Sequence, residues 1–239
     1  TIKNLRITNA YYGINFYNAD TSVIENIAVD NCDGGLVFSD GSCSNTIVNC
    51  YSHNNLNNGF ILSEGSNNNI LSNNKSVSNN NFGFSINESS NNIFTANIAD
   101  SNSRGFYLAY AGSSYSIFTN NSASFNTQYG YYLRNSHYTT FTNNSANANT
   151  GSGAYISSDS NIISNNTVNS NSQYGFRLTG SGNIIKENCA NLNDLYGLYM
   201  SSGANNKIYQ NEINKNKAYQ IFITGSAAED TLTANNIQT

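Results

Sequence analysis

Proline and tryptophan are absent from this 239-residue sequence, and charged residues make up only 10% of it, against roughly 25% in an average soluble domain. The strong helix formers Glu, Lys, Gln and Met are scarce, while Asn and Ser, which compete for backbone hydrogen bonds, are abundant. That balance excludes a helical architecture. No apolar run approaches the ~18 residues of a membrane helix. Basic residues number ten and are scattered, and the formal net charge is −4. No stripe of positive charge can be read along the chain, so nucleic acid is not expected as a partner. Two histidines and one methionine supply no ligand set for copper. At 12% aromatic residues the chain is unlike a disordered one. It opens on Thr1, with neither initiator methionine nor signal sequence, as expected of a mature form or an excised segment.

What fills the sequence is repetition. Asn occurs 49 times and Ser 33 times. A glycine sits within an aromatic-Gly-apolar-x-apolar stretch at Gly13, Gly35, Gly59, Gly83, Gly105, Gly130, Gly153, Gly175 and Gly197, with spacings of 22 to 25, and Gln220 takes the tenth position. Two asparagine columns share this frame. The first contains Asn26, Asn74, Asn97, Asn121, Asn144, Asn166, Asn188 and Asn211, opened by Asn4, closed by Asn235 and interrupted at Cys50. The second lies five residues on, at Asn9, Asn31, Asn55, Asn79, Asn102, Asn126, Asn149, Asn171, Asn193 and Asn216. Apolar residues alternate with period two after each glycine. A further apolar position, from Val23 through Leu232, precedes the first asparagine column by three residues in nearly every coil. Such alternation predicts half-buried strands.

A 22–25-residue repeat of short strands and polar turns predicts an all-β solenoid of about ten stacked coils, forming one domain over residues 1–239. Stacking at about 4.8 Å places like residues above like. An inward Asn can then donate its amide to the next coil and accept from the previous one. Ser124, between Asn121 and Asn126, serves as a solvated control position. The glycines are expected to provide either a left-handed turn or a close approach between coils.

The unit running from Asn97 to Asn121, N-x-A-x-x-N-x-x-x-G-F-x-L-x-x-S-x-N-N-I-F-x-x-N in outline, resembles the repeats of the pectin-lyase-like superfamily, and among them the NosD-type and archaeal surface-protein repeats. The resemblance implies a right-handed, single-stranded parallel β-helix. It also implies an extracellular or cell-envelope setting and a function drawn from a wide range: polysaccharide lyases, hydrolases, tailspikes, adhesins and inert rods. The Asn-Thr-Asp, Asp-Asp, Gly-His-Gly and Arg-Ile-Lys motifs that the resemblance would lend to a hydrolase are missing.

Three features could carry chemistry. Asp40, Glu64 and Glu88 each fall five residues after their glycine, so stacking sets three carboxylates in one column. They form a calcium or magnesium site, an acid/base pair, or a solvated turn. The position two after each glycine reads Tyr107, Tyr132, Tyr155, Arg177, Tyr199 and Phe222 in the later coils. This outward column is either a surface for sugar rings or another cell-surface protein, or a ladder that braces the sheet. Cys32, Cys43, Cys50 and Cys189 lack zinc spacing, and only a Cys43–Cys50 bridge is conceivable. Coil spacing never exceeds 25 residues, which leaves little room for the inserted loops that wall a catalytic cleft. The expected function is a non-catalytic structural or adhesive rod with a possible carbohydrate-binding face and no obligatory cofactor. The alternative is a polysaccharide lyase or glycoside hydrolase. Both ends begin and stop within the repeat, so the segment is expected to come from a larger protein and to self-associate end to end.

Overall fold

The corners of each coil are made by residues in the left-handed region. In one coil they are Asn68, Asn73 and Ser78 (φ 59°, 54° and 55°), and in the next Asn91, Ala96 and Ser101 (φ 58°, 54° and 58°). Asn tolerates this conformation better than other non-glycine residues, so the asparagine-rich composition and the five-residue rhythm of corners have one cause. Between corners run strands, many of them three residues long, such as Ile70–Ser72 and Lys75–Val77. The structure, a computed structural model, describes residues 1–110, 112–225 and 229–238.

The strands of successive coils pair in parallel throughout, forming one sheet of fourteen strands, one of ten and a third of two. Among the described residues there are no helices, and no helix is long and apolar enough to cross a membrane. Every glycine-frame position meets its predicted partner: Phe60 pairs with Phe84, Phe84 with Phe106 and Phe106 with Tyr131. Inside, rings pile nearly parallel. Phe60, Phe84 and Phe106 stand 4.6 and 4.7 Å apart, and Phe94, Phe118 and Phe141 stand 4.5 Å apart at both steps. The two piles meet edge to face, with Phe84 and Phe94 centroids 6.1 Å apart, an arrangement that aromatic quadrupoles favour.

The asparagine columns close the corners of this core. Asn121 is representative. Its Nδ2 donates to the Phe94 carbonyl (2.9 Å) and to Asn144 Oδ1 (3.0 Å), while its Oδ1 accepts from the backbone N–H of Asn97 (2.8 Å) and from Asn97 Nδ2 (3.0 Å). Both donors and both acceptor sites of the buried amide are used. The pattern runs from Asn74 to Asn235 in one column. In the other it runs from Asn55 to Asn216, where Gln220 Oε1 receives the last amide at 2.9 Å. A third column went unread in the sequence: Asn45, Asn69, Asn92, Asn161, Asn183 and Asn206, completed by Ser116, Thr139 and Asp230.

The first coils depart from the expected frame by one residue. Asn26 pairs in register beside Asn4, and Ile27 beside Leu5 and Ala28 beside Tyr51 set Ile27 level with Cys50. Asn4, Asn9, Asn26 and Asn31 all adopt positive φ at the exposed corner. Ile27, Cys32 and Cys50 occupy the interior instead, and Ile24 rather than Val23 is buried. Asn26 and Asn31 therefore lie outside the buried ladders. Ser124 is not a solvated control, because it is buried and its hydroxyl accepts the Asn147 N–H at 3.2 Å. The column glycines serve close approach, not left-handed turns. A Cβ on Gly83 would lie 2.7 Å from the Gly105 carbonyl, and one on Gly105 2.6 Å from that of Gly130.

Asn121→Ala removes one acceptor shared by two buried donors and leaves the Phe94 carbonyl and Asn144 Oδ1 each one donor short. It should cost about 2–4 kcal/mol in denaturant unfolding, whereas Asn26→Ala, at an exposed corner, should cost under about 1 kcal/mol. Equal losses at the two positions would contradict the register.

Candidate functional site

The ten-stranded sheet turns an aromatic face to solvent. The predicted outward column is in register: Tyr107 beside Tyr132, Tyr132 beside Tyr155, Tyr155 beside Arg177, Arg177 beside Tyr199, and Tyr199 beside Phe222. Tyr132 and Tyr155 stack at 4.8 Å and 7°. The Arg177 guanidinium lies 4.4 Å from the Tyr155 ring centre and 5.9 Å from that of Tyr199.

A second aromatic column flanks the first. It is the residue just before the glycine position in the later coils: Phe82, Arg104, Tyr129, Tyr174, Tyr196 and Tyr219, interrupted at Ser152. The sequence carried its signal, since the aromatic of each aromatic-Gly stretch belongs to it. The columns interlock, with Phe82 4.4 Å from Tyr107, Tyr174 4.9 Å from Tyr199 and Tyr196 5.0 Å from Phe222. Arg104 sits among four rings at 5.1 to 5.8 Å from their centres, and its Nε donates to Gln128 Oε1 at 2.9 Å. Guanidinium over aromatic faces is a favourable pairing, of about 0.5–2 kcal/mol. Most rings are half-buried. Because they stack on one another along the axis, the face presents ring edges and phenol groups outward. Burial raises the Tyr132 and Tyr174 phenols above their usual value, so they remain hydrogen-bond donors at neutral pH.

The other candidates lie elsewhere. Asp40, Glu64 and Glu88 share one left-handed corner (φ 51°, 53° and 51°). Their backbones are linked by Gly41 N–H to the Glu64 carbonyl and Gly65 N–H to the Glu88 carbonyl, at 2.8 and 2.9 Å. The three side chains are exposed. Among the described residues no group of three or more Asp, Glu, His or Cys is gathered closely enough to hold an ion. The Asp40 carboxylate near the Tyr17 phenol raises that phenol's pKa. All four cysteines are free, and burial pushes the Cys50 thiol up to about 11.

A cluster that the sequence did not flag lies on the larger sheet. The buried Asp30 carboxylate is held by Arg6 at 2.6 Å, with His53 Nε2 at 3.6 Å. His53 Nδ1 lies 3.1 Å from Asn54 Nδ2 and can only accept from that amide, so the Nε2 proton of the neutral ring faces Asp30. That orientation spends the histidine on the ion pair. His137 Nδ1 likewise accepts the Asp159 backbone N–H at 3.1 Å. The open groove near Cys189 carries two carboxylates. Glu187 accepts from Asn165 at 3.3 Å, and Glu212 from Asn191 at 2.9 Å.

Comparison with known proteins places this architecture. The family described as "Right handed beta helix region" matches residues 1–114, 72–189 and 107–237. This chain belongs to that family. No curated protein matches the sequence. Among solved structures it is similar to the A-module of the Azotobacter vinelandii mannuronan C-5 epimerase AlgE6, at TM-score 0.75 and 16% identity, over 91% of this chain and 64% of that one. It is similar also to the periplasmic alginate epimerase AlgG, at 0.74 and 14%, over 90% and 68%, and to the Dettilon tailspike protein, at 0.67 and 15%, over 98% and 56%. The chain thus spans about two thirds or less of the length of these structures. At such identities the likeness is one of fold: a right-handed, pectin-lyase-like parallel β-helix of about ten coils.

Two carboxylates should give opposite pH signatures. The Arg6 guanidinium on Oδ2, with the nearby Thr8 hydroxyl next in weight, holds the Asp30 carboxyl below its usual value. Its contribution is therefore complete above the unfolded pKa of about 4 and is lost as pH falls through the lowered folded value. Burial raises Asp100, against the opposing hydrogen bonds from Ser124 N–H and the Ser122 hydroxyl. Its contribution is present below about pH 4 and is lost as pH rises through the raised folded value. In thermal denaturation Asp30→Asn should lower Tm at pH 7, and Asp100→Asn should raise it. Both differences should shrink toward pH 3, and a pH-independent offset at either site would contradict the assignment.

Proposed function

We propose that this chain is a carbohydrate-binding β-helix rod of an extracellular or cell-envelope protein, acting without catalysis. The observation that carries the reading is the two-column aromatic face between Phe82 and Phe222, which runs along the axis on a sheet of fixed register. Aromatic side chains outside a complete core mark contact surfaces. Tyrosines add hydroxyl groups that can bond to sugar hydroxyls without ordering a long flexible side chain. The solved structures of like fold named above include epimerases of alginate and a phage tailspike, which supports a polysaccharide as the ligand and an exported location. The non-catalytic part of the reading is supported by the histidines, whose Nδ1 atoms are bonded within the scaffold, with His53 Nε2 turned to the Arg6–Asp30 pair.

A glycan chain lying along the axis would meet one coil every ~4.8 Å, so affinity should grow with chain length. The test is affinity electrophoresis against a panel of neutral and acidic polysaccharides. The Tyr132→Ala/Tyr155→Ala pair should weaken retardation at least tenfold, while Ile93→Ala on the opposite sheet should leave it unchanged. Retardation by no polysaccharide, or equal retardation of the tyrosine pair and the parent, would sink the reading. Release of reducing ends or of unsaturated sugars from any member of the panel would replace it with a lyase or hydrolase.

A further inference from the structure

The fourteen-stranded sheet has an outward face of its own, and it is apolar. Two columns run along it in register, one from Val23 through Thr46 to Ile184, the other from Glu25 through Val48 to Lys186. In the first, Ile70, Ile93, Ile117 and Ile162 are each 36–43% exposed. Tyr115 and Tyr138, stacked at 5.0 Å on the corner beside Ile117 and Thr140, are more than half exposed. A single exposed isoleucine needs no explanation, but a line of them over neighbouring coils marks a contact surface. Charge stands at both ends of this strip and is absent between them. No Asp, Glu, Lys or Arg occurs in the first column from Val23 to Ile184, or in the second from Val48 to Ser164. Glu25 and Lys186 are seven coils apart, about 34 Å along the axis. Among the described residues Glu25 makes no ion pair, although Lys3 is its neighbour in register. Lys186 reaches Glu187 at 3.7 Å, and both remain partly exposed. The midpoint between Glu25 and Lys186 falls between Thr95 and Thr119, beside Ile93 and Ile117, so the charges and the apolar line share one centre.

From this arrangement we infer that the strip docks a second copy of this chain, turned end for end about a twofold axis at that centre. Antiparallel rods set Glu25 of each copy against Lys186 of the other. Ile93 then meets Ile117 of the second copy, Thr46 meets Ile162, and Val23 meets Ile184. Because both copies have the same coil pitch, every such pair stays level along the strip. A parallel copy would instead bring Glu25 to the height of Glu25 and Lys186 to that of Lys186, which like charges disfavour. Tyr115 to Thr119 spans about 13 Å across the strip, so each copy covers roughly 450 Å² of the other in projection. That is less than a standard interface, so the dimer is weak, and the charge pairs fix its direction more than its strength. A twofold contact of this kind closes on itself and stops at two copies. The aromatic face of the ten-stranded sheet stays uncovered in both.

Analytical ultracentrifugation of the whole chain from about 5 to about 500 µM tests this directly, since a weak dimer of this size dissociates in the micromolar range. A monomer–dimer equilibrium with no larger species is expected. Ile117→Lys, at the centre of the strip, should leave only monomer, while Lys75→Gln, outside it, should change nothing. Glu25→Lys should weaken the dimer at least tenfold, and Glu25→Lys combined with Lys186→Glu should restore it to within threefold of the parent. All four positions lie outside the core, so each variant should melt as the parent does. Zero-length carbodiimide coupling should join Glu25 to Lys186 in the dimer, a link that their separation within one chain forbids. Monomer at every concentration, a dimer indifferent to Ile117→Lys, or a charge exchange that fails to restore it would overturn the inference. So would species that grow past the dimer with concentration, as rods joined end to end would, or carbodiimide links from Glu25 to other lysines only.

Discussion

A buried primary amide has two donors and two acceptor sites, and in this molecule one translation of the coil satisfies all four. Asn144 repeats Asn121: its Nδ2 donates to Phe118 O and Asn166 Oδ1, at 2.9 and 3.1 Å, and its Oδ1 takes the N–H and amide of Asn121. Each amide is complete only if the coils above and below present the same group at the same height. A slip of one residue would leave several buried polar groups unpaired at about 1–3 kcal/mol each. The ladders therefore enforce register, and the rest of the structure inherits it. The phenylalanine piles, the glycine column and the outward columns are all consequences of identical coils stacked without offset.

The same constraint explains the composition. In a stack of like positions any charge tends to face its own kind at about 5 Å, a repulsion that polar uncharged residues avoid. Within the strands, charge in an outward column is interleaved, whereas Asp40, Glu64 and Glu88 stack only at an exposed corner, where water screens them. Tyr51 pairs with Lys75, and Arg177 lies between Tyr155 and Tyr199. At Asp30 the neighbouring coils supply Arg6 and His53. Proline, which lacks the N–H that coil-to-coil pairing uses, has no place in such a chain.

Most of the architecture was legible from spacing alone, because a stacked fold writes its contacts into the sequence as a period. From Cys50 onward the two predicted asparagine columns and the apolar frame coincide with the interior. They fail in the first two coils for a specific reason. A corner needs a residue tolerant of positive φ immediately before the inward position, and Asn suits both places. At Asn73–Asn74 and Asn143–Asn144 two asparagines fill both, and either reading is satisfied. At Asn26–Ile27 and Asn31–Cys32 only the corner is Asn, and nothing in the spacing tells a corner from a ladder. The third ladder was hidden because Ser116 and Thr139 break its run of asparagines while still contributing hydroxyl and backbone groups to it. The second aromatic column, and the placing of Arg104 and Arg177 among its rings, depend on which face each position turns to, which period alone does not give.

The aromatic face shows how one set of rings can serve stability and contact together. Stacking along the axis uses ring faces, as between Tyr132 and Tyr155, and this is what register rewards. The edges and hydroxyl groups remain for whatever approaches from the side. An arginine inserted in the pile keeps the stack continuous, since its planar group substitutes for a ring. It also introduces a charge that adjacent tyrosines cannot neutralise. A lysine would end the pile, and a carboxylate would be repelled by the ring faces above and below. An aromatic column of this geometry therefore accommodates charge of one sign only, and the face that results is apolar and hydroxylated, with one cation in each of its two columns, Arg104 and Arg177.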